Sequence, residues 1–133
     1  DFRLVPDQDP DKILALLRAH LDAAGFGDIK IASSDGEPPS ASDPTHSFVK
    51  SAAQTAESVY GHRPALIPMM SGTGPVYVLC GQFGVPVITA GVGYAGSRAH
   101  APDEHITIAD FVAGTKYIAM LVEALSDVEN TTG

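Results

Sequence analysis

The sequence predicts an α/β protein, with helices covering both faces of a parallel sheet. Three observations lead there. Residues 85–90, Val-Pro-Val-Ile-Thr-Ala, form a continuous apolar run of strand length, the pattern of a strand buried on both faces. From residue 45 to 125, helical periodicities and short apolar runs alternate in α-β-α-β-α order, which favours layered α/β packing. The first 32 residues read as a small β-α-β unit, too short to bury a core alone.

Phe2, Leu4 and then Pro6 give a short alternating strand. Asp9 before Pro10 is a good N-cap and first-turn pair, and Asp11 suits the positive end of a helix dipole. Ile13, Leu14, Leu16, Leu17 and Leu21 then fall on one helical stripe, which Gly25 and Gly27 stop. Asp28 to Ala32 alternates again as a second strand. Residues 33–44, SSDGEPPSASDP, have the composition of a linker.

Beyond it, Phe48, Val49, Ala52, Ala53, Ala56 and Val59 predict a helix with small residues on its packing face, ending at Gly61. Residues 65–68 read as a short strand, 71–75 (SGTGP) as a turn, and 76–83 as a helix stopped by Gly84. Strand 85–91 follows, then a glycine loop, then an amphipathic helix from Ile108 to Leu125. The expected organisation is a β-α-β unit at 1–32, a linker at 33–44, a main body at 45–127 and a tail at 128–133. Asp1 stands in a strand already under way, so the chain reads as the C-terminal part of something longer.

The 133 residues, 44% hydrophobic and 18% charged, have globular composition. A net charge of −8 and a pI near 4.8 leave no basic footprint for nucleic acid or an anionic membrane. No apolar run approaches the length of a membrane span, and no signal peptide is visible. Cys80 is the single cysteine, so no intrachain disulfide forms and the expected location is cytoplasmic. Inert packing is the simplest role for it.

Gly91, Gly93 and Gly96 spell G-x-G-x-x-G after a strand-like run. A dinucleotide site needs a helix opening at the third glycine. Pro102 disfavours helix immediately before it, and helical periodicity resumes only near Thr107. The glycines instead read as a loop that delivers His100.

Two stretches carry chemistry. In SGTGP, small residues before a helix allow Gly72, Thr73 and Gly74 to line a pocket for a carboxylate or acyl oxygen, or simply to turn the chain. It is no P-loop, because no Gly-Lys-Ser/Thr follows. In HAPDEH, His100, Asp103, Glu104 and His105 fall within six residues between a strand and a helix. Neutral imidazole is a common zinc ligand, but Pro102 forbids a helical zinc motif here, and a polar surface loop is the bland alternative. Histidines 20, 46 and 62 lie scattered on helices or their ends without an evident role.

DFRLVP at the start, then SGTGP, then GSRAHAPDE before the last helix resemble, in this order, the C-terminal portion of the co-catalytic zinc metallopeptidase family. That family includes aminoacylase, carnosine-type dipeptidases, glutamate carboxypeptidase, acetylornithine deacetylase and succinyl-diaminopimelate desuccinylase. AHAPDE is the most specific segment. The resemblance implies an α/β catalytic domain holding two zinc ions and a ferredoxin-like lid that mediates homodimerisation. Residues 1–32 would be a lid remnant and 45–127 the end of the catalytic domain.

By the same resemblance, His100 is the metal ligand. Gly72 and Thr73 lie on the substrate's carboxylate side, with Gly74 in the same turn, and Arg3 on a lid strand near the cleft. Arg98 and Glu104 are expected to support the loop or the substrate side rather than bind metal, and His105 to be structural at the start of the last helix. Asp1 stands where several members have asparagine. The family's general base lies in adjacent glutamates, and none of the five glutamates here has a glutamate neighbour. No catalytic residue is therefore expected in this chain, which alone should be inactive.

The expected function is that of part of a zinc hydrolase cleaving a peptide or amide bond next to a free carboxylate, of dipeptidase or carboxypeptidase type. The alternatives are an N-acyl amino acid deacylase of the same family and a non-catalytic α/β dimerisation module. The substrate would be a small peptide or N-acyl amino acid.

Overall fold

The computed structural model describes residues 2–32, 36–69, 72 and 74–129. Among the described residues four α-helices form: α1 (Pro10–Ala23), α2 (Ser47–Tyr60), the single turn α3 (Val76–Leu79) and α4 (Ile108–Glu129). A 3-10 turn, Gly81–Phe83, follows α3. The chain divides into two units, Asp1–Ala41 with Pro68–Val87, and Ser42–Ile67 with Ile88–Gly133.

In the first unit, α1 starts where its cap dictates. The Asp9 carboxylate accepts the N–H groups of Asp11 (2.9 Å) and Lys12 (3.1 Å), and Pro10 needs no partner at the first helical position. Asp9→Ala should cost about 1 kcal/mol of stability, the usual worth of such a cap. A chemical-denaturation midpoint that does not move would contradict this.

No strand is present among the described residues, so the β-α-β unit expected over 1–32 is not formed. A strand exists only through its ladder, with a neighbour about 4.8 Å away. Around α1 the groups that a ladder would use are already committed. Arg18 donates through Nη1 to Ile29 O (2.6 Å) and through Nη2 to Phe26 O (3.1 Å) and the Asp22 carboxylate (2.7 Å). Ile29 N–H donates to Phe26 O (3.2 Å), which makes the second expected strand a turn strapped to the helix. At the first expected strand, Val5 N–H meets Gln8 Oε1 at 2.9 Å and Val5 O accepts from Gln8 N–H at 3.2 Å, curling the backbone.

The strands expected at 65–68 and 85–91 are likewise absent. Val85 N–H is tied back to Cys80 O (3.2 Å), and the 76–83 helix breaks at Cys80 into α3 and the 3-10 turn. Alternation and apolarity mark a segment for burial. They do not supply its partner.

In the second unit, α2 packs against α4. Ala52 (2% exposed), Ala56, Tyr117 (4%) and Leu121 form the core, with Val59, Ile88 and Leu125 around them. Small side chains on α2 let α4 approach closely, and the large ones on α4 fill the seam. The start of α2 is capped by an imidazole: His46 Nδ1 accepts the Phe48 N–H at 3.1 Å. Its end is Gly61, in the left-handed conformation at φ 75°.

The expected amphipathic pattern of α4 is only partly met. Phe111, Val112, Ile118 and Val122 are exposed while Tyr117 and Leu121 are buried. Apolar residues on several sides are the mark of a helix covered on more than one side. No helix among the described residues is long and apolar enough to cross a membrane.

Tyr117 lies against Tyr60, ring centroids 6.0 Å apart. Burial, and then the neighbouring Tyr60, push its phenol above the ordinary value of 10.0. The folded state thus holds this proton more tightly than the unfolded chain. The associated stability is full below pH 10.0 and should be lost as pH rises through the higher folded value. In alkaline denaturation, Tyr117→Phe should flatten this decline. An unchanged pH dependence would show that another group governs it.

Candidate functional site

The second unit carries the loop from Gly91 to Thr107, which enters α4. Its first part is a turn around Ser97, one of the few buried polar residues, at 5% exposure. Ser97 Oγ accepts the Tyr94 N–H (2.7 Å), Ser97 N–H donates to Tyr94 O (2.9 Å), and Ser97 O accepts the His105 N–H (3.1 Å). One serine therefore ties both arms of the loop together.

The structure also explains the third glycine of the G-x-G-x-x-G run. A Cβ at Gly96 would lie 2.5 Å from Cε2 of the Tyr94 ring, so glycine makes room for that ring. No helix opens there, since α4 begins at Ile108. The dinucleotide reading fails for lack of a helix N-terminus at the glycines.

His100 occupies the third position of a turn closed by the Ala101 N–H donating to Arg98 O at 2.9 Å. Its φ of 61° is the left-handed value that a type II turn requires and that glycine normally supplies. Arg98 (φ 56°) and Asp103 (φ 60°) share this conformation. Three such non-glycine residues within six positions are costly, at about 1–3 kcal/mol each, and cluster where function requires them.

The loop's polar groups are mostly spent on the loop itself. His105 Nδ1 lies 2.8 Å from Asp103 O, and a carbonyl only accepts, so Nδ1 carries the proton. In the neutral ring Nε2 is then an acceptor, and the Tyr94 hydroxyl donates to it at 2.9 Å. The two rings meet edge to face, centroids 5.9 Å apart. Arg98 faces Asp103 at 3.5 Å, an exposed pair. Glu104 Oε2 accepts the His100 backbone N–H in a long contact of 3.4 Å. Thr107 accepts the Asp110 N–H (3.0 Å) and donates to the Asp110 carboxylate (2.7 Å), capping α4.

What is left over is the His100 imidazole. It is exposed and makes no hydrogen bond or ion pair among the described residues. Both ring nitrogens are open to a ligand, and this donor chemistry fits a zinc ion. It fits as one ligand of a larger set, because no group of three or more His, Cys, Asp or Glu converges among the described residues.

The remaining candidates lie in the first unit. Arg3 and Gly72 are exposed, Gly74 is half-buried, and Thr73 falls outside the described residues. Val76 N–H, which an anion pocket after SGTGP would offer, donates to Gly74 O at 2.7 Å. Of the predicted site residues, the structure thus places Arg98 and His100 on one loop.

The resemblance implies a first ligand histidine in an H-x-D motif, expected to be absent from this chain; these letters do occur once, at His20-Leu21-Asp22, inside α1. Asp22 is paired there with Arg18. Sequence reasoning missed Tyr94 as a brace, although an aromatic residue two positions before a glycine was the signal.

The model of the peptidase family M20/M25/M40 matches residues 10–124. Among solved structures, an M20 family metallo-carboxypeptidase from Sulfolobus solfataricus is 32% identical over 91% of this chain, with a TM-score of 0.74. This chain spans 28% of the length of that one. No curated protein matches it.

Proposed function

We infer the function from a plain premise: the chain belongs to the peptidase family M20/M25/M40. It supplies part of a zinc-dependent hydrolase that cleaves a peptide or amide bond next to a free carboxylate, of dipeptidase or carboxypeptidase type. The carrying observation is the uncommitted His100 imidazole, held on a turn whose neighbouring side chains mostly bond to one another. In this reading His100 is the one ligand that the chain contributes to a site of two zinc ions. Zinc, when bound, supplies Lewis acidity toward the scissile carbonyl and an activated water.

The chain's own part is narrower. His100 binds, and Arg98 and Glu104 support its turn. Dimerisation through a lid that includes residues 1–32 belongs to the same reading. The exposed apolar sides of α4 are consistent with a helix that belongs within a larger domain.

In the full-length peptidase, His100→Ala should lower zinc content and kcat/KM together. This chain alone should hydrolyse neither dipeptides nor N-acetyl amino acids, with or without zinc. Activity that purifies with the isolated chain would refute the division of labour. Preference for N-acetyl amino acids by the full-length enzyme would make it a deacylase.

A further inference from the structure

We propose that Tyr94 and His105 are positioning residues that hold the His100 imidazole in its metal-binding pose, an inference that rests on His100 being a ligand. The turn at 98–101 is held locally by one backbone hydrogen bond, from the Ala101 N–H to Arg98 O, and by the long contact of Glu104 with the His100 N–H. His100, Arg98 and Asp103 all have left-handed backbones, which L-residues leave readily unless neighbours prevent it. The ion pair on the turn, Arg98 with Asp103, is exposed and 3.5 Å long, and contributes little.

The geometric restraint comes from the base of the loop. His105 Nδ1–H grips Asp103 O at 2.8 Å, just where the backbone is left-handed, and fixes the peptide that follows. Tyr94 OH then fixes the ring from its other side at 2.9 Å. The Tyr94 ring is itself seated over Gly96, and its backbone is clasped by buried Ser97. The chain of contacts therefore runs from a buried serine to a phenol, to an imidazole, to the carbonyl of Asp103, and so to the turn that presents His100. Neither ring nitrogen of His105 is left for a metal in this arrangement, and the Tyr94 hydroxyl is spent on holding that ring. They act through His100.

The test uses the full-length, zinc-stripped enzyme, with zinc affinity read by chelator competition and folding read by thermal melting. Tyr94→Phe keeps the ring over Gly96 and removes only the hydroxyl. It should weaken zinc by up to the roughly 10–100-fold seen on losing a direct outer partner of a ligand, while leaving the melting temperature of the stripped protein nearly unchanged. His105→Ala should weaken zinc at least as much. His105→Asn, whose amide can donate to Asp103 O, should recover part of the loss.

Unchanged zinc affinity in Tyr94→Phe, whatever happens to the melting temperature, would overturn the proposal. If His105→Ala does not fold, Tyr94→Phe and His105→Asn still decide it. Zinc binding unaffected by His100→Ala would instead overturn the ligand assignment itself, so the two failures are distinguishable.

Discussion

Replacing His100 by glycine is expected to strip the full-length peptidase of metal while making its stripped form more stable. The two effects have separate causes. The side chain at position 100 is the proposed ligand, so its loss should lower kcat/KM by roughly 100-fold or more, beyond the effect of losing an outer partner. The backbone at position 100 has a φ of 61°, a conformation that costs an L-residue about 1–2 kcal/mol and costs glycine nothing. Glycine's extra freedom in the unfolded chain takes back about 0.5–1 kcal/mol. The net gain should be about 0.5–1 kcal/mol.

The measurement must be made on zinc-free protein, because bound metal itself stabilises the folded state. Guanidinium denaturation of wild type and His100→Gly would provide it. A glycine variant that is less stable than the stripped wild type would show that the turn carries no strain. One that keeps its zinc would show that another residue is the ligand.

Gly114→Ala should destabilise the α2–α4 unit, against the direction that helix propensity predicts. Alanine is preferred over glycine inside a helix by about 1 kcal/mol. Gly114, however, is buried on α4, and a Cβ there would collide with Val92 Cγ1. Val92 is β-branched and half-buried, so it cannot simply swing away. Overpacking of this kind costs about 1–3 kcal/mol, so against the propensity gain the net loss should be up to about 2 kcal/mol.

Truncating the obstacle separates the two contributions. Val92→Ala alone loses packing, but in the Val92→Ala/Gly114→Ala double variant the collision is gone and the propensity gain returns. The double variant should therefore be more stable than the sum of the two single changes predicts, by about 1–2 kcal/mol of coupling. Additive effects in thermal or denaturant unfolding would mean that the two positions do not touch.

Much of the helical architecture was legible. Asp9 and Pro10 announce the start of α1, Gly61 the end of α2, and the periodicity after Thr107 the body of α4. The strands were misread for a physical reason. Residues 28–32 and 85–90 have the alternation or apolarity of strands, but Arg18 claims the carbonyl of Ile29, and Ile88 packs beside the helical core. The site was legible in part. The resemblance through AHAPDE already favoured His100 over His105, and what the letters did not show is that both ring nitrogens of His105 are occupied.

The sequence by itself determined the start of α1, the end of α2 and the family signature, because caps, glycine stops and short motifs act over a few residues whose spacing is covalently set. Only the tertiary structure decided which apolar runs pack against helices, why Gly114 must be glycine, and that both nitrogens of the His105 ring are occupied. Each of those depends on a group brought in from elsewhere in the chain. Val92 meets Gly114, and the Tyr94 hydroxyl meets His105 at 2.9 Å across eleven positions. Hydrogen bonds and van der Waals contacts fade within an ångström or so of their optimum, so such pairings are fixed by three-dimensional placement and leave no periodic trace in the letters.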